Sequence, residues 1–387
     1  MIYVLYDLLS PRIEGWWIDK ALQVLRQSEF RALAAAIVSF VIVLLFGKKT
    51  IRWLMARKIG DTGQTDAEIH RAHAASKANT PTMGGLLTSI AMVAGIVLLA
   101  DIREFYVVCA LLVLAVLACV GAADDWLKLT AARRAGGRQG LYAWEKLLFQ
   151  LGIGVLAGVF AYTKGDVAGT PHDLAHVLTL PFQKTYIDVA ANPSLIYLPA
   201  WAYVLVATLM IAGLSNAANI TDGMDGLATG IGAAVSLGLM VLCLFSGSIE
   251  RAQYLLVPHV PGSAELAVVA GAMFGSCLGF LWWNTYPAMV FMGDTGSLAM
   301  GGVIGYIAVI TRQEYVVLVM CGVFVMEIGS VVLQVGSFKL RGKRIFKIAP
   351  IHHHFHHIGW PEQRVVGRFW VITSLLVVLA LASLKIR

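Results

Sequence analysis

The stretch Asn216-Ala-Ala-Asn-Ile-Thr-Asp-Gly-Met-Asp-Gly-Leu227 is a polar segment enclosed by two long apolar runs. It carries two carboxylates and two carboxamides within twelve residues. Charge beside hydrocarbon is costly unless it is compensated, so acids at the mouths of apolar segments usually serve ions, protons or ligands. Asp124-Asp125 ends another apolar run, and Asp294 precedes a third. We therefore expect a fold that brings these three clusters together on one face of a membrane.

The composition of the chain is that of a membrane protein. Hydrophobic residues make up 58% of the 387 residues and charged residues 14%, and the mean hydropathy is +0.74. These values exclude an ordinary soluble domain, and we expect the lipid bilayer as surroundings and no nucleic-acid partner. Ten apolar runs predict an all-α polytopic membrane protein of about ten transmembrane helices, forming one integral membrane domain over residues 1–387. The runs are 30–46, 83–100, 105–123, 147–162, 196–214, 227–245, 266–283, 297–310, 315–335 and 369–384.

Lysine and arginine residues concentrate in alternate connections between these runs. Of the 30 such residues, seven lie between the first and second runs, five follow the third run, and seven lie between the ninth and tenth. The positive-inside rule assigns these connections to the cytoplasm, so we expect both termini to be extracytoplasmic. On this topology the acidic clusters share the cytoplasmic face with segments 77–82, 284–294 and 352–357. The five cysteines fall inside apolar runs without CxxC spacing, and we interpret them as packing residues.

Each acidic cluster has a structural explanation beside the chemical one; for the 216–227 stretch, Thr221 and Asp222 could be helix caps, which would leave Asn216, Asn219 and Asp225 unexplained. Asp124 and Asp125 lie at the C-terminal end of a helix, where the helix dipole disfavours negative charge. Lys128 or a divalent cation could offset them, or they could be solvated acids that mark the membrane boundary. Asp294 follows Gly293 near a helix N-terminus, where open backbone suits a phosphate, although a simple N-cap is the alternative.

The second half of the chain contains an intramembrane acid and a histidine-rich string. Glu327 lies deep in the ninth run, where it could be a functional acid or a hydrogen-bonded packing residue. The string Pro350-Ile-His-His-His-Phe-His-His-Ile-Gly-Trp-Pro361 is predicted to lie in the last cytoplasmic loop. Adjacent histidines point in divergent directions, so only some could share one zinc or nickel ion. Contacts from imidazoles to a polyanionic substrate fit the string better.

The chemistry that these groups suggest is a metal-assisted phosphoryl transfer at a membrane surface. Acids, open glycine backbone, cations and histidines on one face suit a reaction that joins a soluble anionic donor to a lipid acceptor. An ion-coupled transporter is the alternative from another functional class. Its acids should lie near the bilayer midplane in repeated halves, whereas these cluster at one surface.

Five strings support a more specific interpretation over nearly the whole chain. They are Thr80-Pro-Thr-Met-Gly-Gly85, Asp124-Asp125 with Lys128, Asn219-Ile-Thr-Asp-Gly-Met-Asp-Gly226, Phe291-Met-Gly-Asp-Thr-Gly-Ser297 and Pro350-Ile-His-His-His-Phe355. With these strings the chain closely resembles the polyprenyl-phosphate N-acetylhexosamine-1-phosphate transferases. The first and last strings point to the phospho-N-acetylmuramoyl-pentapeptide branch of that family, from whose pattern His356-His357 departs. A relative that uses UDP-GlcNAc should differ at those two strings and is the alternative within the family.

The resemblance implies an enzyme of the bacterial plasma (inner) membrane with its active site facing the cytoplasm. The implied reaction transfers phospho-MurNAc-pentapeptide from UDP-MurNAc-pentapeptide to undecaprenyl phosphate, which gives lipid I and UMP in peptidoglycan synthesis. The resemblance is also compatible with a homodimer as the assembly of the enzyme.

The same resemblance implies roles for individual residues. Asp294 would bind Mg²⁺, Asp124 and Asp125 would act on the lipid phosphate, and these three are the candidate catalytic residues. By motif position the substrate-binding residues would be Lys77, Thr82, Lys128, Asn219, Asp222, Asp225, Asn284, Phe291, His352, His353 and His354. The ring of Phe291 would be available to stack on uracil.

Overall fold

The structure is a computed structural model that describes residues 1–13, 17–57, 80–131, 140–165, 176–180, 183 and 195–385. These residues form fifteen α-helices, two short 3₁₀ turns and one pair of two-residue strands. The helices are α1 Ile2–Ile13, α2 Trp17–Leu22, α3 Ser28–Ala56, α4 Gly85–Leu99, α5 Phe105–Ala131, α6 Ala143–Gly165, α7 Ala200–Thr221, α8 Leu227–Ser246, α9 Ile249–Leu255, α10 Leu266–Asn284, α11 Asp294–Ile310, α12 Glu314–Met320, α13 Gly322–Arg341, α14 Ile351–His357 and α15 Glu362–Ser383. The strands are β1 Val177–Leu178 and β2 Ile196–Tyr197, which pair antiparallel.

Eight of the described helices are long and apolar enough to cross a membrane. Two more, α4 with 15 residues and α11 with 17, are shorter apolar helices. Together these helices account for the ten apolar runs of the sequence. The prediction of an all-α polytopic membrane protein is therefore confirmed.

Two of the predicted runs differ from the structure in detail. The fifth run begins in β2, and α7 starts only at Ala200, after Pro199 in an extended conformation. Proline suits the start of a helix because the N–H groups there have no partner within the helix, and proline has no N–H group to leave unpaired. The ninth run is divided into α12 and α13 at Cys321. The Cys321 amide still donates to the Val317 carbonyl at 2.8 Å, so the division is a bend with its hydrogen bonding retained.

Helix α11 is the centre of the bundle. All 17 of its residues are buried, and it packs against α4, α5 and α7. It approaches α7 closely because Gly301 has no side chain, and a Cβ there would overlap the carbonyl oxygen of Leu214. Apolar surface alone does not drive helices together in lipid, so contacts through small residues are a main source of tight packing. The N-terminus of α11 thereby has a fixed position at one end of the bundle.

The other end of α11 is held by a buried ion pair. Arg312 pairs with Glu314, and its Nη1 donates to the Val309 carbonyl at 2.9 Å. The guanidinium also lies 4.4 Å from the ring centroid of Tyr203 on α7 and donates to the Val177 carbonyl of β1 at 3.2 Å. A 17-residue helix is about 25 Å long, so this pair lies far from Asp294.

Candidate active site

Asp125, near the end of α5, caps the N-terminus of α11 from a neighbouring helix. Its Oδ1 accepts from the Asp294 amide at 3.1 Å, and its Oδ2 accepts from the amide and hydroxyl of Thr295 at 3.0 and 2.7 Å. The first amides of a helix have no partner within the helix, so a carboxylate here satisfies them and complements the dipole. Gly293 precedes them at φ 74°, and a Cβ there would lie 2.8 Å from Asp125 Oδ2. A side chain at 293 would therefore disturb the cap.

Asp124 faces Asp294 across two lysine ammonium groups. Lys128 Nζ lies 2.6 Å from Asp124 Oδ2 and 3.3 Å from Asp294 Oδ2. Lys146 Nζ, from the first turn of α6, lies 2.7 Å from Asp124 Oδ2 and also contacts Asp294 Oδ2. The other oxygen of Asp124 accepts from the Leu141 amide at 2.7 Å. Two ammonium groups therefore offset the charge of Asp124. That of Lys128 was predicted from the sequence, and that of Lys146 was not.

The three aspartates have the geometry of a cation site. Asp124, Asp125 and Asp294 each offer one carboxylate oxygen, these oxygens lie within 4.8 Å of one another, and all three residues are buried. Carboxylate oxygens are the ligands that Mg²⁺ prefers, and Mg²⁺ usually keeps several waters and shares substrate phosphates. The donor set therefore fits a hard divalent cation, and the ammonium groups of Lys128 and Lys146 lie against two of the same carboxylates. Among the described residues this is the one group of three or more acids, histidines or cysteines that meets the distance criterion.

The polar stretch 216–227, which spans the end of α7 and the turn after it, supplies further contacts to the site. Asn219 Nδ2 donates to Asp294 Oδ1 at 2.9 Å and to Ser297 Oγ at 3.0 Å. Asp222 Oδ2 accepts from the Gly293 amide at 3.0 Å. Desolvation and the nearby charge of Asp294 raise the pKa of Asp222 to about 7, against the opposing hydrogen bond from Gly293. Asn219 and Asp222 thus both contact the segment that carries Asp294.

Asp225 and Asn284 brace the turn that leads into α8. The Asp225 carboxylate accepts from the Ala288 amide at 3.0 Å, and its own amide donates to Glu362 Oε1 at 2.9 Å. Asn284 accepts from the Gly226 amide at 3.1 Å and donates to the Val290 carbonyl at 2.8 Å. Both side chains are buried. In this structure they fix backbone around the site by direct contacts within the chain.

The segment that contains Thr82 pairs with the segment that contains Phe291. The Phe291 amide donates to the Pro81 carbonyl, and the Gly84 amide donates to the Phe291 carbonyl, both at 2.8 Å. Thr82 and Phe291 are each half-buried. The two predicted substrate-binding residues therefore lie on adjoining backbone beside Asp294, whereas Lys77 lies outside the described residues.

The histidine string forms a short helix, α14, which corrects the prediction of a loop. His352 is buried and its Nδ1 lies 2.9 Å from Glu327 Oε2. The His353 ring lies against it, with centroids 4.1 Å apart, and is half-buried. His354 Nδ1 accepts from the Lys347 amide at 3.3 Å. The three rings therefore face different surroundings, as adjacent positions of a helix require.

Two residues of the site were not assigned to it from the sequence. Lys146 entered only as one of the cytoplasmic charges, although its place at the start of the fourth run, opposite the end of the third, is a usable signal. Glu327 was recognised as an unusual acid, but no sequence pattern named His352 as its partner. The place of Lys146 in the site and the pairing of Glu327 with His352 both depend on which helices pack together.

A family model connects this geometry to known proteins. The model of glycosyl transferase family 4 matches residues 107–312. The matched range contains the aspartate cluster, the polar stretch 216–227 and the whole of α11, and it covers more than half of the chain. The chain therefore belongs to glycosyl transferase family 4, whose members transfer phosphosugars to polyprenyl phosphate.

Proposed function

We propose that this phosphosugar transferase is a phospho-N-acetylmuramoyl-pentapeptide transferase of the bacterial plasma (inner) membrane. It would use UDP-MurNAc-pentapeptide and undecaprenyl phosphate, and it would produce lipid I and UMP for peptidoglycan synthesis. The observation that carries the proposal is the convergence of Asp124, Asp125 and Asp294 with two lysines at the open end of α11. The strings 80–85 and 350–355 favour the muramoyl-pentapeptide donor over UDP-GlcNAc.

The reaction needs positioning of anions more than it needs a base. A phosphomonoester carries roughly −1.5 to −2 charge at pH 7, so the acceptor oxygen is already largely deprotonated. That oxygen attacks the phosphorus attached to the sugar, a new P–O–P bond forms, and the bond from that phosphorus to UMP breaks. The electron pair leaves with UMP, so no net proton transfer is required. Two substrates of like charge must be brought together, which calls for cations.

The residues of the site suit these tasks. Mg²⁺ held by Asp294 with Asp124 would neutralise phosphate oxygens of the donor. Lys128 and Lys146 can turn from the carboxylates to phosphate oxygens, because their ammonium groups are flexible point charges. Asp125 would keep the N-terminus of α11 in place. We assign the remaining donor contacts to Lys77, Thr82, Asn219, Asp222 and Phe291, and to exposed parts of the histidine string.

The orientation and assembly are part of the same proposal. The basic connections support a site that faces the cytoplasm, where a soluble nucleotide-sugar is available, with both termini outside. Residues 1–387 would act as one domain, with a homodimer as the assembly to be tested. An ion-coupled transporter is not favoured, because the acids gather at one end of α11.

The test is a donor competition with the purified protein. We expect UMP release from UDP-MurNAc-pentapeptide with undecaprenyl phosphate and Mg²⁺, and none from UDP-GlcNAc. Asp294→Asn should abolish release, whereas Glu314→Gln, a matched change in a buried acid at the far end of α11, should leave it measurable. Release from UDP-GlcNAc alone would refute the muramoyl assignment, and release from neither donor would refute the proposed function.

A further inference from the structure

Glu327 and His352 form a fully buried pair between α13 and α14. Both side chains are 0% exposed, and Glu327 Oε2 lies 2.9 Å from His352 Nδ1. An acid in such surroundings is costly without a hydrogen-bonded partner. The His352 amide also lies 3.5 Å from the same oxygen. Glu327 thus ties the start of α14 to the middle of α13.

The contact fixes the orientation of the His352 ring. Because Nδ1 is in contact with a carboxylate oxygen, the direction of Nε2 is set by that contact. The hydrogen bond at one ring nitrogen of a histidine sets the role of the other nitrogen. The question is therefore what the other nitrogen faces.

Nε2 faces the polar stretch that follows α7. It is buried and has no hydrogen-bond partner among the described residues. A Cβ on Gly223 would overlap Nε2, so the ring lies directly under the backbone at that residue. Gly223 is itself exposed on its other side. The backbone of Gly223 therefore lies between the buried Glu327–His352 pair and the surface that carries Asp222.

We infer that Glu327 is a positioning residue, which fixes the His352 ring and thereby holds the backbone at Gly223 so that the neighbouring Asp222 is aligned for the nucleotide part of the donor. The inference rests on the proposed function for the identity of that donor. It gives Glu327 an indirect role, since among the described residues its carboxylate is hydrogen-bonded to His352 alone. It also explains why the first histidine of the string is buried while the next two are half-buried.

The test compares Glu327→Leu with Glu327→Gln. Leucine has a similar volume but no hydrogen-bonding group, whereas glutamine keeps both an acceptor and a donor for Nδ1. We expect Glu327→Leu to weaken UMP binding and raise the KM for the donor by about 10- to 100-fold, the range known for removing the partner that orients a metal-bound histidine. The KM for undecaprenyl phosphate should not change. Glu327→Gln should recover most of the donor affinity.

A matched control separates positioning from stability. Glu314→Leu also breaks a buried pair, but near the C-terminus of α11, so it should lower the thermal midpoint and leave UMP binding intact. If Glu327→Leu behaves in the same way, with donor affinity retained, Glu327 is only a structural residue and the inference is wrong. If the parent protein releases no UMP from either donor, the proposed function fails instead, which is a different result.

A second pair of variants tests the link through Gly223. Gly223→Ala should weaken UMP binding because the new methyl group displaces the His352 ring. His352→Ala alone should also weaken UMP binding, and in the double variant the two losses should not add, because both act through the same contact. If the losses add fully, the ring does not act on this backbone, and the inference is overturned.

Discussion

Asp125 and Asp124 are adjacent, yet we expect their removal to have different consequences. Asp125→Ala should destabilise the fold, because Asp125 accepts three hydrogen bonds from the first two residues of α11. Asp124→Ala should have a smaller effect on stability. Its lysine partners also contact Asp294, so they keep one carboxylate when Asp124 is lost.

The size of the Asp125 effect follows from its contacts. Each hydrogen bond to a charged group contributes about 1.5–3 kcal/mol, so three bonds give a ceiling of roughly 4.5–9 kcal/mol. Loss of a helix N-cap costs about 0.5–2 kcal/mol, which sets the floor. Removing Asp125 also relieves its repulsion from Asp294 and admits water. We therefore expect Asp125→Ala to lower the free energy of unfolding by about 2–4 kcal/mol.

The cysteines provide an assay. Cys109, Cys243, Cys277 and Cys321 are buried, and Cys119 is exposed. In a Cys119→Ser parent, a thiol-reactive dye should report unfolding of the bundle against a low background. Thermal midpoints in detergent rank the variants, and unfolding in a denaturing detergent gives the difference in free energy.

A single-bond variant completes the comparison. Thr295→Ala removes one of the three hydrogen bonds and should cost about 1 kcal/mol. In the double variant with Asp125→Ala this cost should largely disappear, since the bond is already absent. An Asp125→Ala protein that unfolds at the midpoint of its parent, or costs that add fully in the double variant, would refute the capping role.

Three further predictions concern the site and its orientation. Asp294→Asn should abolish both turnover and stabilisation by added Mg²⁺, and activity with normal Mg²⁺ dependence would contradict its role as a ligand. Lys146→Met should reduce turnover by about 100-fold. Lys128→Met should do less, because the Lys128 side chain is 47% exposed against 18% for Lys146; equal losses would count against this ranking. Ile358→Cys should react with a membrane-impermeant thiol reagent only from the cytoplasmic side, and labelling of intact cells would reverse the topology.

Most of the fold was predictable because spanning helices need long apolar runs, which are visible in a sequence. The exceptions are informative. The bend at Cys321 lies within an uninterrupted apolar run without proline, so only Gly322 gave a local signal. The strand pair was hidden because Ile196 and Tyr197 continue smoothly into the apolar residues of α7. At Cys321 and at Ile196–Tyr197 the contacts with the rest of the fold determined the backbone conformation. The amino-acid composition does not change at either place, so it does not reveal the change of backbone conformation.

The membership of the acidic cluster was predictable from topology, but the individual contacts were not. Successive residues on a helix point about 100° apart, so Asp124 and Asp125 cannot face the same partner. Which of them caps α11 depends on the rotation of α5 about its axis, and a sequence does not specify that rotation. The same limit applies to His352, whose burial depends on where α13 packs.

The complete burial of α11 has a consequence for engineering this enzyme. Any larger side chain along that helix meets a neighbour on every face, so attempts to change donor preference there should mostly yield unfolded protein. Variation is more easily accommodated at partly or fully exposed positions of the neighbouring segments, such as Thr82, Met289 and His354. A library designed to accept another sugar should therefore leave the central helix unchanged and diversify positions of that kind.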